Sequence, residues 1–355
     1  MKRLLRFFGG LIKWTIVVAL GVELLCFILV SASNFLIYGQ LREGSRAIYD
    51  PYTLFLQSTP VRPTANNSVS PDPTKNRTIW MLGGSTMRGA TDFDDQTIPS
   101  HLAAILNGNG SGLRFTLINY GTDSFNALME IKYLEKLLIE NPAPPDLIVF
   151  YDGANDTKYF LEHRTADAHH GYRRVQALIE SYYRSWFGLL KPLNAAIYAS
   201  FTREIYDRIN QVLVPLDPDA DELRGMVDAT EKRYDFVAKL ANAFGVKFVV
   251  VWQPMLWVET CDVPPTVKAG ERNLIVDSDR FETMRSNFTV VYTAITEGIA
   301  AKPYFVGFRR SLCDRQIPAY QADGVHLNSD GNKMVATAMA KLLAQRFPEF
   351  ALPPP

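Results

Sequence analysis

Of the five histidines in this chain, only His326 has an acid three positions before it beside a glycine, in Asp323-Gly324-Val325-His326-Leu327-Asn328. That spacing lets one turn offer a carboxylate to one ring nitrogen while the other nitrogen takes a proton. This is the orienting part an acid plays in a Ser-His-Asp triad. A hydroxyl to match is Ser85, which follows Gly83-Gly84 directly after the apolar run Thr78-Ile79-Trp80-Met81-Leu82. Gly121 follows a second run, Phe115 to Tyr120, and Gly153-Ala154-Asn155-Asp156 follows a third, Asp146 to Tyr151. A glycine N–H and an asparagine amide both suit a developing oxyanion. Taken singly, each has a plainer reading: Gly-Gly-Ser is a common turn, and a lone histidine is often a cap or a core residue. It is the set, in this order and at run ends, that points to nucleophilic catalysis.

The runs themselves must position these groups. Lys247-Phe248-Val249-Val250-Val251-Trp252 is a fourth apolar, β-branched run and Pro303–Phe308 a weaker fifth. Helical patterns lie between them: about Thr97 to Leu106, Ser124 to Glu140 and Asp217 to Phe244, with Asp217 as N-cap and Pro218 at the first helical position. A last helix begins near Ser329, with Met334, Ala338, Leu342 and Gln345 along one stripe and Val335 and Met339 beside it. Continuous apolar strands alternating with helices predict a parallel sheet covered on both faces. Ligands of such sheets sit at the carboxyl ends of the strands, which is where Ser85, Gly121 and Asn155 fall, with Asp323 and His326 in the loop before the last helix.

The four blocks resemble those of the SGNH hydrolases, also called GDSL esterases and lipases, over roughly Thr78 to Phe347. The resemblance implies a three-layer α/β/α, flavodoxin-like domain with a five-stranded parallel sheet. It implies Ser85 as nucleophile, His326 as base and Asp323 as the orienting acid. The oxyanion hole would come from the Ser85 N–H, the Gly121 N–H and the Asn155 amide. The Gly-x-Asn-Asp and Asp-x-x-His motifs are complete; the first block departs, with Gly84 where the family's name-giving motif has aspartate. No cofactor and no metal are expected.

Before this domain, Trp14–Val30 holds eleven Leu, Ile, Val or Phe residues. At roughly −0.3 to −0.6 kcal/mol each they outweigh the roughly +3 kcal/mol of one acid such as Glu23. Lys2, Arg3, Arg6 and Lys13 precede the run and Arg42 and Arg46 follow it, so the positive-inside rule leaves the N-terminus in the cytoplasm and exports the rest. A signal peptide cut after Val30-Ser31-Ala32 is the rival to a retained anchor. The apolar stretch Leu11–Tyr38 is longer than a usual signal core, which favours the anchor. Near a bilayer centre, Glu23 is either a pairing site or merely tolerated.

The expected divisions are therefore a tail and transmembrane anchor over residues 1–40, a juxtamembrane segment and Pro/Ser/Thr/Asn-rich linker over 41–77, the catalytic domain over 78–349 and a Pro-rich tail over 350–355. The stretch from about 158 to 214 exceeds any plain crossover and is rich in aromatics, among them Tyr182, Tyr183, Trp186, Phe187 and Phe201. It reads as extra helices or as a cap over the site, and the cap is the expectation. Smaller candidates are Arg88 for an anionic substrate, the acidic loop Asp92, Asp94 and Asp95, and His169-His170, which read as solvated loop.

With Lys plus Arg equal to Asp plus Glu at 37 each, no global field favours nucleic acid. The three cysteines have no zinc-site spacing. Cys26 falls in the anchor, which leaves Cys261 and Cys313, trailing the fourth and fifth strands, as a candidate disulfide in an oxidising compartment. The function expected is a membrane-anchored, extracytoplasmic serine esterase or deacylase acting on an acyl ester, O-acetyl by expectation, of a glycan or lipid-linked substrate. Two alternatives stand beside it: an O-acyltransferase using the same residues, and a non-catalytic envelope or polysaccharide assembly factor.

Overall fold

The computed structural model describes residues 2–38, 47–89, 93–108, 110, 112–184, 191–198, 200–207, 209 and 213–350. Arg42, Arg46, Asp92, Trp186 and Phe187 lie outside the described residues. The chain divides into two compact units: Met1–Glu43 with Gly171–Val214, and Gly44–His170 with Pro215–Pro355.

The first unit begins with α1 (Lys2–Tyr38), which contains an apolar span, Arg6–Phe35, long enough to cross a membrane. The second opens on an antiparallel pair, β1 (Ala47–Asp50) and β2 (Leu54–Gln57). Residues 58–75, expected as a linker, lie instead along a strand. Asn67 exchanges side-chain hydrogen bonds with the Leu117 N–H and C=O, the Ser68 N–H donates to Phe115 O, and Arg62 bridges Asn119.

Then follow β3 (Asn76–Gly83), α2 (Ser85–Arg88), α3 (Ile98–Gly108), β4 (Arg114–Asn119), α4 (Ala127–Glu140), β5 (Leu147–Asp152) and α5 (Ala154–His163). Helices α6 (Tyr172–Arg184), α7 (Lys191–Tyr198) and α8 (Phe201–Asp207) belong to the first unit, so the insertion starts at Gly171, not near 158. The second unit resumes with α9 (Asp221–Ala243), β6 (Lys247–Trp252), α10 (Pro265–Gly270), α11 (Leu274–Asp277), α12 (Glu282–Gly298), β7 (Phe305–Gly307) and α13 (Ser329–Arg346). The N-cap of α9 is Ala220; Asp217 sits three residues earlier, where its carboxylate accepts from the Asp219 N–H within a turn.

Strands β4-β3-β5-β6-β7 form one parallel sheet in that order. Side chains alternate between its faces, as strand geometry requires. Ile79, Met81, Val149 and Val251 pack with Leu102 and Leu106 of α3 and Val335 and Met339 of α13. On the other face Trp80 meets Tyr120, and Phe150 meets Tyr234 of α9 and Phe248. The face of α13 is turned slightly from the predicted stripe: Val335, Ala336, Met339, Leu342 and Leu343 are buried. The sheet order is the flavodoxin-like one, with its switch point between β3 and β5. Cys261 and Cys313 are bonded, with Cα atoms 4.8 Å apart, across the loops that follow the neighbouring strands β6 and β7.

Candidate active site

Four loops at the carboxyl ends of the strands converge. Ser85 opens α2 directly beyond β3, where the first N–H groups of a helix have no intrahelical partner. Its Oγ lies 2.8 Å from His326 Nε2, and His326 Nδ1 lies 2.5 Å from Asp323 Oδ2. The other Asp323 oxygen accepts the Val325 and His326 N–H groups, each at 2.9 Å. The two residues share one loop because Tyr320 bridges Leu327 and the Gln321 N–H donates to His326 O, while Gly324, at φ 70°, closes the turn between them.

Burial by itself would raise the Asp323 carboxyl. The imidazole and the two N–H donors outweigh it and hold the group below the usual carboxylate range. Burial would lower His326, but the Asp323 hydrogen bond and charge, with a smaller contribution from Asp123, leave it raised. Asp123 itself accepts from Gln57 Nε2 at 3.0 Å, while the Lys158 charge opposes on the imidazole.

The oxyanion side differs from expectation at one position. The Gly121 N–H donates to Asn119 Oδ1 at 2.9 Å, so the structure engages it away from Ser85. A side chain at 121 would put its Cβ 2.3 Å from the Arg88 backbone N, so this glycine serves the close approach of the α2 backbone. Asn155 stands in the first turn of α5 and donates one Nδ2 hydrogen to Phe125 O at 2.7 Å. The amide has a second hydrogen. Gly84, the departure in the first block, is packed against it: a Cβ there would lie 2.6 Å from Asn155 Nδ2 and 3.0 Å from Phe125 O.

Arg88 is occupied structurally, by Thr59 and Gly121 O, and is not offered to an anionic substrate. Asp94 pairs with Arg62, and the His170 ring packs on Phe55 and Tyr159. Among the described residues no His, Cys, Asp and Glu cluster has metal-site geometry.

Several supporting residues carry no local sequence signal. The Trp257 indole N–H donates to Asp323 O at 2.9 Å, and Asn273 Nδ2 to Ala322 O at 2.5 Å. Arg315 is buried between Glu259 and Glu271, and the Glu271 carboxylate also accepts the Ala319 N–H at the root of the histidine loop. Behind Asn155, Asp156 accepts the Gly153 and Ala127 N–H groups, and Asp152 accepts the Tyr234 hydroxyl at 2.6 Å. Glu130 lies beside them, and burial together with the Asp152 and Asp156 charges raises its carboxyl far above the ordinary range. Of these only Asp156 belongs to a quoted motif, which named it without showing what it holds.

No family model and no curated protein matches the chain. Solved structures do. An acetyl xylan esterase, AlAXEase, is 14% identical, covering 75% of this chain and 99% of its own, at a TM-score of 0.40. Axe2, an acetylxylan esterase from Geobacillus stearothermophilus, is 13% identical over 78% and 96%, at 0.37. A member of the lipolytic protein G-D-S-L family from Veillonella parvula DSM 2008 is 15% identical over 76% and 98%, at 0.37. At these identities and TM-scores their activities remain their own, and the chemistry here has to be argued from this chain's residues.

Proposed function

We propose that this chain is a serine esterase of the SGNH type. The observation that carries the reading is the continuous hydrogen-bonded chain from Ser85 through His326 to Asp323, 2.8 and 2.5 Å long at its two links. His326 Nε2 takes the Ser85 proton as Oγ attacks the ester carbonyl carbon, and Asp323 holds the imidazole in the tautomer that accepts it. The oxyanion is met by the Ser85 N–H and the second hydrogen of Asn155 Nδ2. Collapse breaks the C–O bond, and His326 returns the proton to the leaving alkoxide. Water, deprotonated by the same nitrogen, then releases the acyl group and regenerates Ser85. Gly121 shapes the backbone beneath this hole instead of donating to it.

The substrate we assign is an O-acetyl ester on a glycan or lipid-linked alcohol, following the SGNH resemblance and the apolar N-terminal helix. That helix is read as a retained anchor with its N-terminus in the cytoplasm and the catalytic unit outside it. Fluorophosphonate labelling tests the chemistry: the wild type labels on Ser85 and hydrolyses a chromogenic acetyl ester, and Ser85→Ala does neither. Wild-type turnover in Ser85→Ala would remove the mechanism, and a wild type that neither labels nor hydrolyses the ester would favour the assembly-factor reading. For topology, a reporter active only outside the cytoplasm, fused after Pro355, is active and stays with membranes through a carbonate wash. A soluble species beginning near Ser33 would establish a cleaved signal.

A further inference from the structure

Helix α1 changes character at Glu23. Leu11–Val22 is exposed all round, whereas Glu23, Cys26, Phe27, Val30 and Asn34 form a covered stripe at helical spacing, with Val30 buried. What covers it is the insertion. Both Glu23 carboxylate oxygens are used: Oε1 accepts the Phe201 N–H at 2.6 Å, and Oε2 accepts the Thr202 N–H and hydroxyl at 3.1 and 2.8 Å. The Phe27 and Phe201 rings meet edge to face, their centroids 5.1 Å apart.

The depth of this contact follows from length. A bilayer core takes about 20 helical residues. A span begun anywhere from Arg6 to Lys13 therefore ends about between residues 26 and 33. The stripe Glu23–Asn34 overlaps that range wherever the span starts. The insertion touching it thus lies at the level of the bilayer, and its surface suits that place. Leu178, Ile179, Tyr182 and Tyr183 share one exposed face of α6, and Leu193 and Ile197 one exposed face of α7. Among its described charges, Arg173 and Arg203 pair with Asp207, and Arg174 with Glu204. Paired charges and tyrosines are what an interfacial protein segment carries.

We propose that α6, α7 and α8 form a membrane-seated collar on the anchor, docked through Glu23, with the α6 and α7 apolar faces in phospholipid. The occupant of that surface is the bilayer, because α6 and α7 belong to the same compact unit as the bare apolar helix, to which α8 is hydrogen-bonded. The proposal rests on the anchor reading above, and the test separates the two.

Full-length protein carrying Cys26→Ala, with the Cys261–Cys313 bridge intact, receives single labelled cysteines at Leu20, Leu178, Ile197 or Val69. Each carries an environment-sensitive fluorophore and is placed in phosphatidylcholine–phosphatidylglycerol vesicles containing chain-nitroxide phospholipid. The expected result is quenching at Leu178→Cys and Ile197→Cys comparable to that at Leu20→Cys, with Val69→Cys quenched only by aqueous iodide. Adding Glu23→Ala should increase iodide access at Ile197→Cys and leave Leu20→Cys unchanged. Lipid quenching at Leu20→Cys alone, with Leu178→Cys and Ile197→Cys iodide-accessible, overturns the collar and keeps the anchor. No lipid quenching at Leu20→Cys overturns both.

Discussion

Two sets of buried carboxylates flank Ser85, and they are in opposite states. Asp323 faces an imidazole and two backbone N–H donors and is held ionised. Glu130, Asp152 and Asp156 lie together behind Asn155 with no cation in hydrogen-bond contact among the described residues, and all three are raised, first of all by burial. Residue type does not decide the state of a buried acid; the number and charge of the donors facing it does. The triad proposed above needs an acid in the first state, while burial pushes the second set toward its protonated form.

The most direct way to break this contrast is Asp323→Asn, which keeps the shape and removes the charge. The amide presents the wrong hydrogen-bond pattern to Nδ1, and kcat is expected to fall by about 10⁴-fold with KM little changed. Steady-state hydrolysis of the acetyl ester checks this, and a loss under tenfold would mean that Asp323 does not orient the base. Asn155→Ala comes next, at about 10²- to 10³-fold in kcat, since it removes one oxyanion donor. A change in KM alone would place Asn155 in ground-state binding instead.

The pH profile sharpens the comparison further. The base is neutral His326, whose pKa is raised, so kcat/KM falls as the pH drops through that raised value, and in Asp323→Asn the inflection moves to lower pH. Stability runs the other way. The stability that charged His326 contributes is complete below the unfolded-state pKa and is lost as pH rises through the folded one.

Glu130→Gln gives the smallest effect and tests the other set. A raised carboxyl in the folded state stabilises below its unfolded pKa and loses that contribution as pH rises. Glutamine does not titrate, so the variant's Tm should decline less than wild type between about pH 5 and 8, with activity nearly unchanged. Equal declines in thermal melts would show that Glu130 holds no extra proton.

The contrast also separates what a sequence displays from what it conceals. Asp323 and His326 are three residues apart on one turn, so their partnership is written locally. Ser85 joins them only because strand ends of a parallel sheet share one edge, which the apolar runs made legible. The Asp152–Tyr234 bond joins residues 82 positions apart, and the Glu23–Thr202 pair residues 179 apart. Neither has a spacing to read. Gly121 is legible only in part: its run-end position matches an oxyanion donor, and nothing in that position shows that the Asn119 side chain two residues back accepts its N–H. Residues 58–75 have the composition of a linker, and composition does not reveal that Asn66, Asn67 and Arg62 find partners on β4 and α3.

That segment has a consequence for the molecule in company. β4 is a terminal strand of its sheet, and a bare terminal strand is a template on which another polypeptide can add. Here Asn67 and Ser68 already occupy N–H and C=O groups of β4, without forming a regular strand that would itself offer a new row. The prolines at 60, 63, 71 and 73 cannot donate to such a row at all. Were the chain held on a membrane by the anchor proposed above, it would meet its copies often, and this irregular, proline-broken strip would oppose intermolecular β-pairing at β4.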